Sequence, residues 1–218
     1  MGILLLNEKT YLNFPYIPYK EIGDRKIINS EKLIVIFIIM EYDEKNQLKD
    51  NSPIVLEVIH VDKIGSTMHA SRQYIDEGNQ LPFIYTTKIQ TQGKGKRARK
   101  WAGSIEGNIC TSSSIPIKMV KNEFSSNDKL VKITAISIIQ KLREYSNEFY
   151  LNYPNDIICI EERKLGGIIV ELYKDFYIIG FRINIVDKPE QSEKRKEGLS
   201  PCFVNKHISE NKKKPDPL

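Results

Sequence analysis

The sequence predicts an α+β protein in which helices pack on a mostly antiparallel, mixed sheet. Short turns separate four strand-like segments in the second half of the chain, as in an antiparallel meander. These segments lie at 149–153, 157–160, 164–173 and 176–186. Few helical segments connect the predicted strands, and this excludes a Rossmann-type alternation of strands and helices.

The first half of the chain supplies the remaining elements. A β-rich segment at 54–61 leads to Gly65, Ser66 and Thr67, which are typical of a helix start, and a helix is predicted at 68–77. Further strands are predicted at 83–90 and 108–115. The clearest helix lies at 127–146, where apolar residues recur on one face. That face predicts core packing and is formed by Val131, Ala135, Ile138, Ile139 and Leu142.

Length and composition indicate one main domain. The chain has 218 residues, enough for one core with extensions. We predict an N-terminal extension at 1–52 with a buried strand at 33–40, a main domain at 53–187 and a basic tail at 188–218. The tail is expected to be mobile, although 199–204 could dock.

Charge and hydropathy narrow the class of protein. The net charge is +5, which is too small for a chain that coats nucleic acid nonspecifically. The longest apolar run, at 33–40, is far shorter than the roughly 20 residues that span a bilayer. The N-terminus lacks the features of a signal peptide, so a cytoplasmic protein is predicted, with an organelle form after leader removal as the alternative.

The cysteines and histidines form no recognisable metal motif. There are 3 cysteines without a CxxC pair and 3 scattered histidines. The sequence therefore predicts neither a disulfide scaffold nor a structural zinc site.

A basic, glycine-spaced loop at 90–101 is the most informative segment. Gly93 and Gly95 allow the backbone to approach a phosphate closely. Positive charge comes from Lys94, Lys96, Arg97, Arg99 and Lys100, and the single tryptophan, Trp101, follows. The loop taken alone fits either a nucleotide phosphate site or a nucleic-acid patch.

Three later segments and one earlier pair accompany this loop. They are Asn-Tyr-Pro-Asn-Asp-Ile at 152–157, Arg-Lys-Leu-Gly-Gly-Ile-Ile-Val-Glu at 163–171, Ile-Gly-Phe-Arg-Ile-Asn at 179–184 and Ser-Thr at 66–67. In this order they resemble the catalytic domain of biotin protein ligases over about residues 55 to 187. The resemblance implies the biotin/lipoate ligase fold, which is similar to class II aminoacyl-tRNA synthetases. Family members usually continue into a small β-barrel-like domain, and the residues after 187 are too few to form one.

The resemblance also implies an activity. Biotin protein ligases activate biotin with ATP and Mg²⁺ as biotinyl-5′-AMP, then transfer it to a lysine of a carboxylase carrier domain. The expected partner is such a biotin carboxyl carrier domain, with no membrane and no specific nucleic acid. The oligomeric state is not predicted.

Site residues follow from the matched positions. The implied biotin-binding residues are Ser66, Thr67, Gln90, Gly93, Lys94, Gly95, Lys96, Gly167 and Gly180. The implied catalytic residues are Lys96, Arg97, Arg99 and Asn152. The implied nucleotide-binding residues are Arg97, Arg99, Trp101, Asn155 and Asn184, with Asp156 as the Mg²⁺ ligand. Local structure offers other roles, because Ser66 could be a helix N-cap, Gln90 an exposed strand end, and Asn155 and Asp156 turn residues.

The chain departs from the family pattern at three of these motifs. Met68 replaces an asparagine, Asn152 replaces a lysine that bridges the biotin carboxylate and the phosphate, and Arg182 replaces a glycine. Arg182 could fill the biotin pocket, or it could supply the positive charge that is missing at Asn152. The alternatives to an active ligase are a degenerate paralogue that binds biotin or adenylate, a lipoate or octanoyl ligase, and a nucleic-acid-binding module.

Overall fold

The computed structural model describes residues 57–93, 95, 108–120, 122–143, 145–187 and 199–208. The predicted extension at 1–52 and most of the basic loop lie outside these residues. The elements, in chain order, are β1 (Glu57–Ile64), α1 (Thr67–Asp76), β2 (Phe83–Gln90), β3 (Ile109–Pro116), α2 (Asn127–Leu142), β4 (Phe149–Asn152), β5 (Asp156–Cys159), β6 (Lys164–Tyr173) and β7 (Phe176–Ile183).

The seven strands form one mixed sheet in the order β1-β2-β3-β7-β6-β5-β4. β1 and β2 are parallel and are connected by α1, whereas all the other neighbours are antiparallel. The predicted α+β class with a mostly antiparallel, mixed sheet is therefore confirmed. Neither helix in the described part of the chain is long and apolar enough to cross a membrane.

The two helices lie on opposite faces of the sheet. Ile179 belongs to the large core that contains Leu130 and Ala135 of α2. Its neighbour Ile178 belongs to a second core with Ile75 of α1. Because successive strand residues point to opposite faces, α1 and α2 cover different sides.

Two predicted elements extended three or more residues too far. The helix predicted to reach residue 146 ends at Leu142, where the Tyr145 amide donates to the carbonyl three residues earlier and tightens the chain into a turn. The last strand was predicted to reach residue 186 but ends at Ile183. Beyond it the carbonyls of Asn184 and Ile185 accept hydrogen bonds from the C-terminal segment instead of from a neighbouring strand.

This C-terminal segment, defined as residues 199–208, docks beside the start of β6. Pro201 forms a parallel bridge with Lys164, and the Cys202 amide donates to the Lys164 carbonyl at 2.8 Å. Cys202, Phe203 and Val204 are buried. The docking suggested for 199–204 by the sequence is therefore observed.

Candidate active site

Two rows of residues cross the α1 face of the sheet and bring distant motifs together. The Arg182 row runs from β4 to β3 and consists of Asn152, Asp156, Gly167, Arg182 and Cys110. The Gly180 row lies two residues away along β7 and consists of Ile169, Gly180, Ser112 and Tyr85. Residues in register point to the same face, so both rows line one surface. Five predicted or departing site positions thus share it: Asn152, Asp156, Gly167, Gly180 and Arg182.

The N-terminus of α1 stands over the Gly180 row. Ser66 is the N-cap, and its Oγ accepts a hydrogen bond from the His69 amide at 3.4 Å. Ser66 therefore has the helix-capping role that its sequence position also allowed. A role in binding biotin stays a prediction.

Thr67 is the centre of a polar cluster with Gln90 and Ser112. Its amide and its hydroxyl both donate to Gln90 Oε1, at 2.9 and 3.1 Å. Its Oγ1 lies 2.7 Å from Ser112 Oγ, and both hydroxyl-bearing residues are buried. Two residues matched by the family motifs, Thr67 and Gln90, are thus in direct contact. Ser112 completes the cluster, although no sequence motif marks this position.

Met68 occupies the space above Gly180. A β-carbon added to Gly180 would lie 2.6 Å from Met68 Sδ and 2.8 Å from its Cγ. The residue that departs from the family pattern therefore packs on one of the predicted biotin-binding glycines. Nearby, burial and the carboxylates of Glu77 and Glu57 raise the pKa of Tyr85, so its phenol remains protonated at neutral pH.

The basic loop begins beside this helix end. After β2, the Thr91 amide donates to the Ile64 carbonyl at 2.9 Å and the Gln92 amide donates to the Gly65 carbonyl at 2.7 Å. Gly93 is buried and Gly95 is half-buried. The predicted residues Lys94, Lys96, Arg97, Arg99 and Trp101 lie outside the described residues, so their roles stay predictions. The start of the loop is nevertheless held next to the residue that precedes the Ser66 cap.

Asp156 in the Arg182 row carries an ion pair. Lys164 Nζ lies 2.8 Å from Asp156 Oδ1, and Asn155 Nδ2 donates to the same oxygen at 3.2 Å. The side chains of Lys164 and Asp156 are only 17% and 26% exposed. The pair is therefore partly shielded from solvent. Because Lys164 and Asn155 both contact Oδ1, Mg²⁺ would have to approach Asp156 through Oδ2, beside the positive charge of the lysine.

The glycine pair of β6 allows close strand packing. A β-carbon on Gly166 would lie 2.3 Å from the backbone carbonyl oxygen of Arg182, so no other residue fits there without moving β7. The adjacent Gly167 is the register partner of Arg182. Arg182 itself is only 7% exposed. The buried guanidinium therefore lies on the same face as Asn152, the position where the family lysine is missing.

Asn184 connects the sheet to the C-terminal segment. Its Nδ2 donates to the carbonyls of Lys164 and Cys202, both at 3.3 Å. The side chain is 4% exposed. These bonds give Asn184 a structural function, and its predicted contact with the nucleotide stays a prediction.

Comparison with known proteins supports the resemblance. A segment of 110 residues is 27% identical to the biotin–[acetyl-CoA-carboxylase] ligase of Mycobacterium tuberculosis, covering 50% of this chain and 41% of that protein. The biotin protein ligase of Aquifex aeolicus in complex with biotin and ATP is 25% identical, with a TM-score of 0.56 over 68% of this chain and 60% of that one. The biotin protein ligase of Leishmania major in complex with biotin is 22% identical, with a TM-score of 0.59 over 71% of this chain and 64% of that one.

The chain has the biotin/lipoate ligase fold. The resemblance to biotin protein ligases that the ordered motifs predicted is thereby confirmed. No protein-family model matches the sequence. The chain spans about two fifths of the curated relative and less than two thirds of either solved ligase.

Sequence reasoning missed one cluster elsewhere in this fold. Cys159, Cys202 and His207 place their ligand atoms within 4.8 Å of one another, although the sequence predicted no cysteine–histidine cluster. The gap of more than forty residues between the two cysteines hides their contact. The docking suggested for 199–204 was the only available signal, because it brings Cys202 to the sheet.

Proposed function

We propose that this protein is an ATP-dependent biotin protein ligase. The carboxylate of biotin would attack the α-phosphate of ATP, forming biotinyl-5′-AMP and releasing pyrophosphate. The amine of a lysine on a carboxylase carrier domain would then attack the acyl carbon, forming an amide with loss of a proton and release of AMP. Mg²⁺ would accompany the ATP phosphates and offset their charge.

The observation that carries this proposal is the Thr67–Gln90–Ser112 cluster. Gln90 Oε1 and Ser112 Oγ lie 3.1 and 2.7 Å from Thr67 Oγ1. The cluster stands at a helix end beside Gly180 and near the start of the glycine-spaced loop. A cyclic urea such as that of biotin requires donors and acceptors in fixed positions. Buried polar groups of this kind discriminate well, because a ligand that cannot pair with them leaves them unsatisfied.

Arg182 is the residue we assign to the missing positive charge. Asn152 and Arg182 lie in one row, three strand spacings or about 14 Å apart. An arginine side chain can cover about half of that distance, and its guanidinium can form two parallel hydrogen bonds with the oxygens of a carboxylate or phosphate. Preorganised cations at the site of developing charge are a main source of catalysis in phosphoryl and acyl transfer.

Asp156 positions Lys164 in this scheme. The pair holds a second cation on β6, next to the row that contains Arg182. As the predicted Mg²⁺ ligand, Asp156 would bind the ion through Oδ2 while Lys164 remains on Oδ1. The charge of the lysine would oppose this binding unless the negative triphosphate offset it.

A degenerate paralogue that binds biotin or adenylate without catalysis is the second candidate. It is favoured by Met68, which packs on Gly180, and by the buried Arg182, which stands where the family has glycine. Both side chains reduce the free volume on the α1 face. A smaller site could still hold a ligand in a geometry unsuited to reaction.

The test pairs binding with turnover. Isothermal titration with biotin, lipoate and a nonhydrolysable biotinyl-adenylate analogue would be combined with pyrophosphate release from ATP. Binding of biotin and of the analogue, with biotin-dependent pyrophosphate release, is expected. Binding without release would favour the degenerate paralogue, and lipoate-dependent release would indicate a lipoate ligase. If none of the three bound and RNA binding fell with salt, the basic loop would instead serve nucleic acid.

A further inference from the structure

Three side chains of metal-binding type converge at the junction of β5, β6 and the C-terminal segment. Cys159 and Cys202 are fully buried, and His207 is 9% exposed. Their ligand atoms all lie within 4.8 Å of one another. Cys202 Sγ is 3.5 Å from His207 Nε2. Two ligands of a tetrahedral zinc ion, one sulfur and one nitrogen, stand about 3.6 Å apart when the bonds have their usual lengths of about 2.3 and 2.05 Å.

Glu161 supplies a fourth ligand atom of the right kind. Its Oε2 accepts a hydrogen bond from Cys159 Sγ at 2.8 Å and lies 3.7 Å from His207 Nε2. Glu161 Oε2 therefore lies beside two of the three clustered residues, Cys159 and His207. Two cysteines, a histidine and a carboxylate are all ligands that zinc uses in proteins.

The histidine is already oriented for this role. Its Nδ1 lies 2.7 Å from Glu148 Oε2, so that carboxylate can hold the ring and direct Nε2 toward the two sulfurs. A carboxylate on the other ring nitrogen is the usual arrangement for a zinc-bound histidine. The ring also packs edge-on against Phe149, with centroids 5.5 Å apart. Both contacts restrict the rotation of His207.

Backbone hydrogen bonds fix the other ligands. In the β5–β6 turn the Cys159 amide donates to the Arg163 carbonyl and the Glu162 amide donates to the Cys159 carbonyl, each at 2.9 Å. The turn folds Glu161 back over Cys159. On the opposite side, Cys202 is held by its amide bond to the Lys164 carbonyl at 2.8 Å. The ligands thus come from two separate segments that backbone bonds have already joined.

We propose that Cys159, Cys202, His207 and Glu161 bind one zinc ion. The ion fastens the C-terminal segment to the β5–β6 turn. Thiolates favour zinc over magnesium or calcium, and four protein ligands leave no open position, so the site is structural and not catalytic. Two thiolates, one carboxylate and Zn²⁺ carry a net charge of about −1. Arg163 lies close enough to offset it, because its Nη2 is 3.4 Å from Glu161 Oε1.

The proposed zinc site is connected to the candidate active site. The segment that it fastens accepts a hydrogen bond from Asn184 through the Cys202 carbonyl, and its backbone pairs with Lys164. Lys164 in turn holds Asp156. Loss of zinc would therefore loosen the strand end that carries this ion pair. The zinc site itself does not depend on the proposed ligase activity.

Metal content of the full chain tests the proposal. The protein would be purified under reducing conditions without chelator and its zinc measured by mass spectrometry; preparations without metal would be given one equivalent of Zn²⁺ and dialysed. About one zinc per chain is expected. The variants Cys202→Ser and His207→Ala should lose it. The matched control is Cys110→Ser, because Cys110 is the third buried cysteine and belongs to the Arg182 row, away from the cluster.

A spectroscopic measurement covers the case in which those variants fail to fold. Co²⁺ added to the wild-type chain should give the visible bands of a tetrahedral site and thiolate-to-cobalt charge transfer, both abolished by Zn²⁺. A strong chelator should lower the melting temperature of the wild-type chain by about 5 °C or more, since it removes a ligand bound only by the folded state. Wild-type protein that takes up neither metal, or that contains a Cys159–Cys202 disulfide instead, would overturn the proposal.

Discussion

Met68 Sδ lies where a side chain on Gly180 would begin, only 2.6 Å from an ideal β-carbon at that position. The N-terminus of α1 can approach the sheet this closely because residue 180 has no side chain. The same helix end carries Thr67, whose hydroxyl reaches Ser112 in the register position beside Gly180. Packing at Gly180 and the geometry of the polar cluster are therefore linked.

Gly180→Ala should disturb both the packing of Met68 and the geometry of the polar cluster. The added methyl group would push Met68 away, and overpacking of this kind costs about 1–3 kcal/mol. We expect the free energy of unfolding, measured in urea, to fall by that amount and biotin affinity to fall with it. In the double variant Gly180→Ala/Met68→Ala, the smaller residue 68 makes room for the methyl group, so most of the affinity should return. An unchanged affinity in Gly180→Ala would show that α1 does not shape the ligand site.

Thr67→Val tests the polar cluster with almost no change in volume. The variant removes the hydroxyl that bonds to Gln90 and Ser112, leaving buried oxygens with fewer partners at a cost of about 1–3 kcal/mol. We expect biotin binding, measured by titration calorimetry, to weaken by at least about tenfold. Thr86→Val is the matched control, because Thr86 is buried on the α2 side of the sheet and bonds to Thr111. Equal losses of biotin affinity in the two variants would argue against a binding role for Thr67.

Arg182→Met should remove the charge assigned to this position and keep most of the side-chain length. Biotin-dependent pyrophosphate release should fall by about 100-fold or more, the loss seen when one preorganised donor is deleted. Arg182→Lys should retain part of the rate, because lysine keeps the positive charge but cannot form bidentate hydrogen bonds.

Asn152→Lys tests whether Arg182 supplies the positive charge that residue 152 lacks. In the wild-type background it should change turnover little, since Arg182 already supplies a cation. In the Arg182→Met background it should restore part of the lost rate. A large gain from Asn152→Lys in the wild-type chain would mean that Arg182 does not perform this function.

The Arg72–Glu171 pair should stabilise the position of α1 on the sheet. Arg72 Nε and Nη2 contact the two carboxylate oxygens at 2.5 and 2.8 Å, and the side chains are 37% and 27% exposed. A double-mutant cycle with alanine should give a coupling energy of about 1 kcal/mol, the upper end for partly exposed pairs. The exposed pair Asp128–Lys132 within α2 is the control and should give about 0.3–0.5 kcal/mol. Coupling at or below the control value would mean that this ion pair does not hold α1 in place.

Much of this fold is encoded locally, and the site is encoded only in part. β2 and β6 have the predicted bounds because β-branched and aromatic residues are concentrated in both segments and a short turn at 174–175 ends β6. The end of α2 was less predictable, because residues 143–146 have no feature that forbids a helix and the stop depends on the turn at Leu142. Thr67 and Gln90 could be selected from motifs, but Ser112 lies in a weakly alternating run of small polar residues that marks no single position.

Contacts between residues far apart in sequence were the least predictable. The substitution Met68 could be noted in the sequence, but its contact with Gly180 depends on how α1 packs across β3 and β7. Arg182 left two roles open, because a side chain's face can be inferred from alternation but its depth cannot. The structure buries it on the α1 face, which is compatible with either role.

The alternation along β7 also restricts how the strand can change in length. Gly180 and Arg182 face α1, whereas Ile179 and Ile183 face α2. Deletion of one residue before Gly180 would exchange these sets, moving the buried guanidinium into the apolar core against α2 and turning isoleucines toward α1. We therefore expect the protein to remain folded after most single substitutions in β7, but not after insertion or deletion of a single residue there.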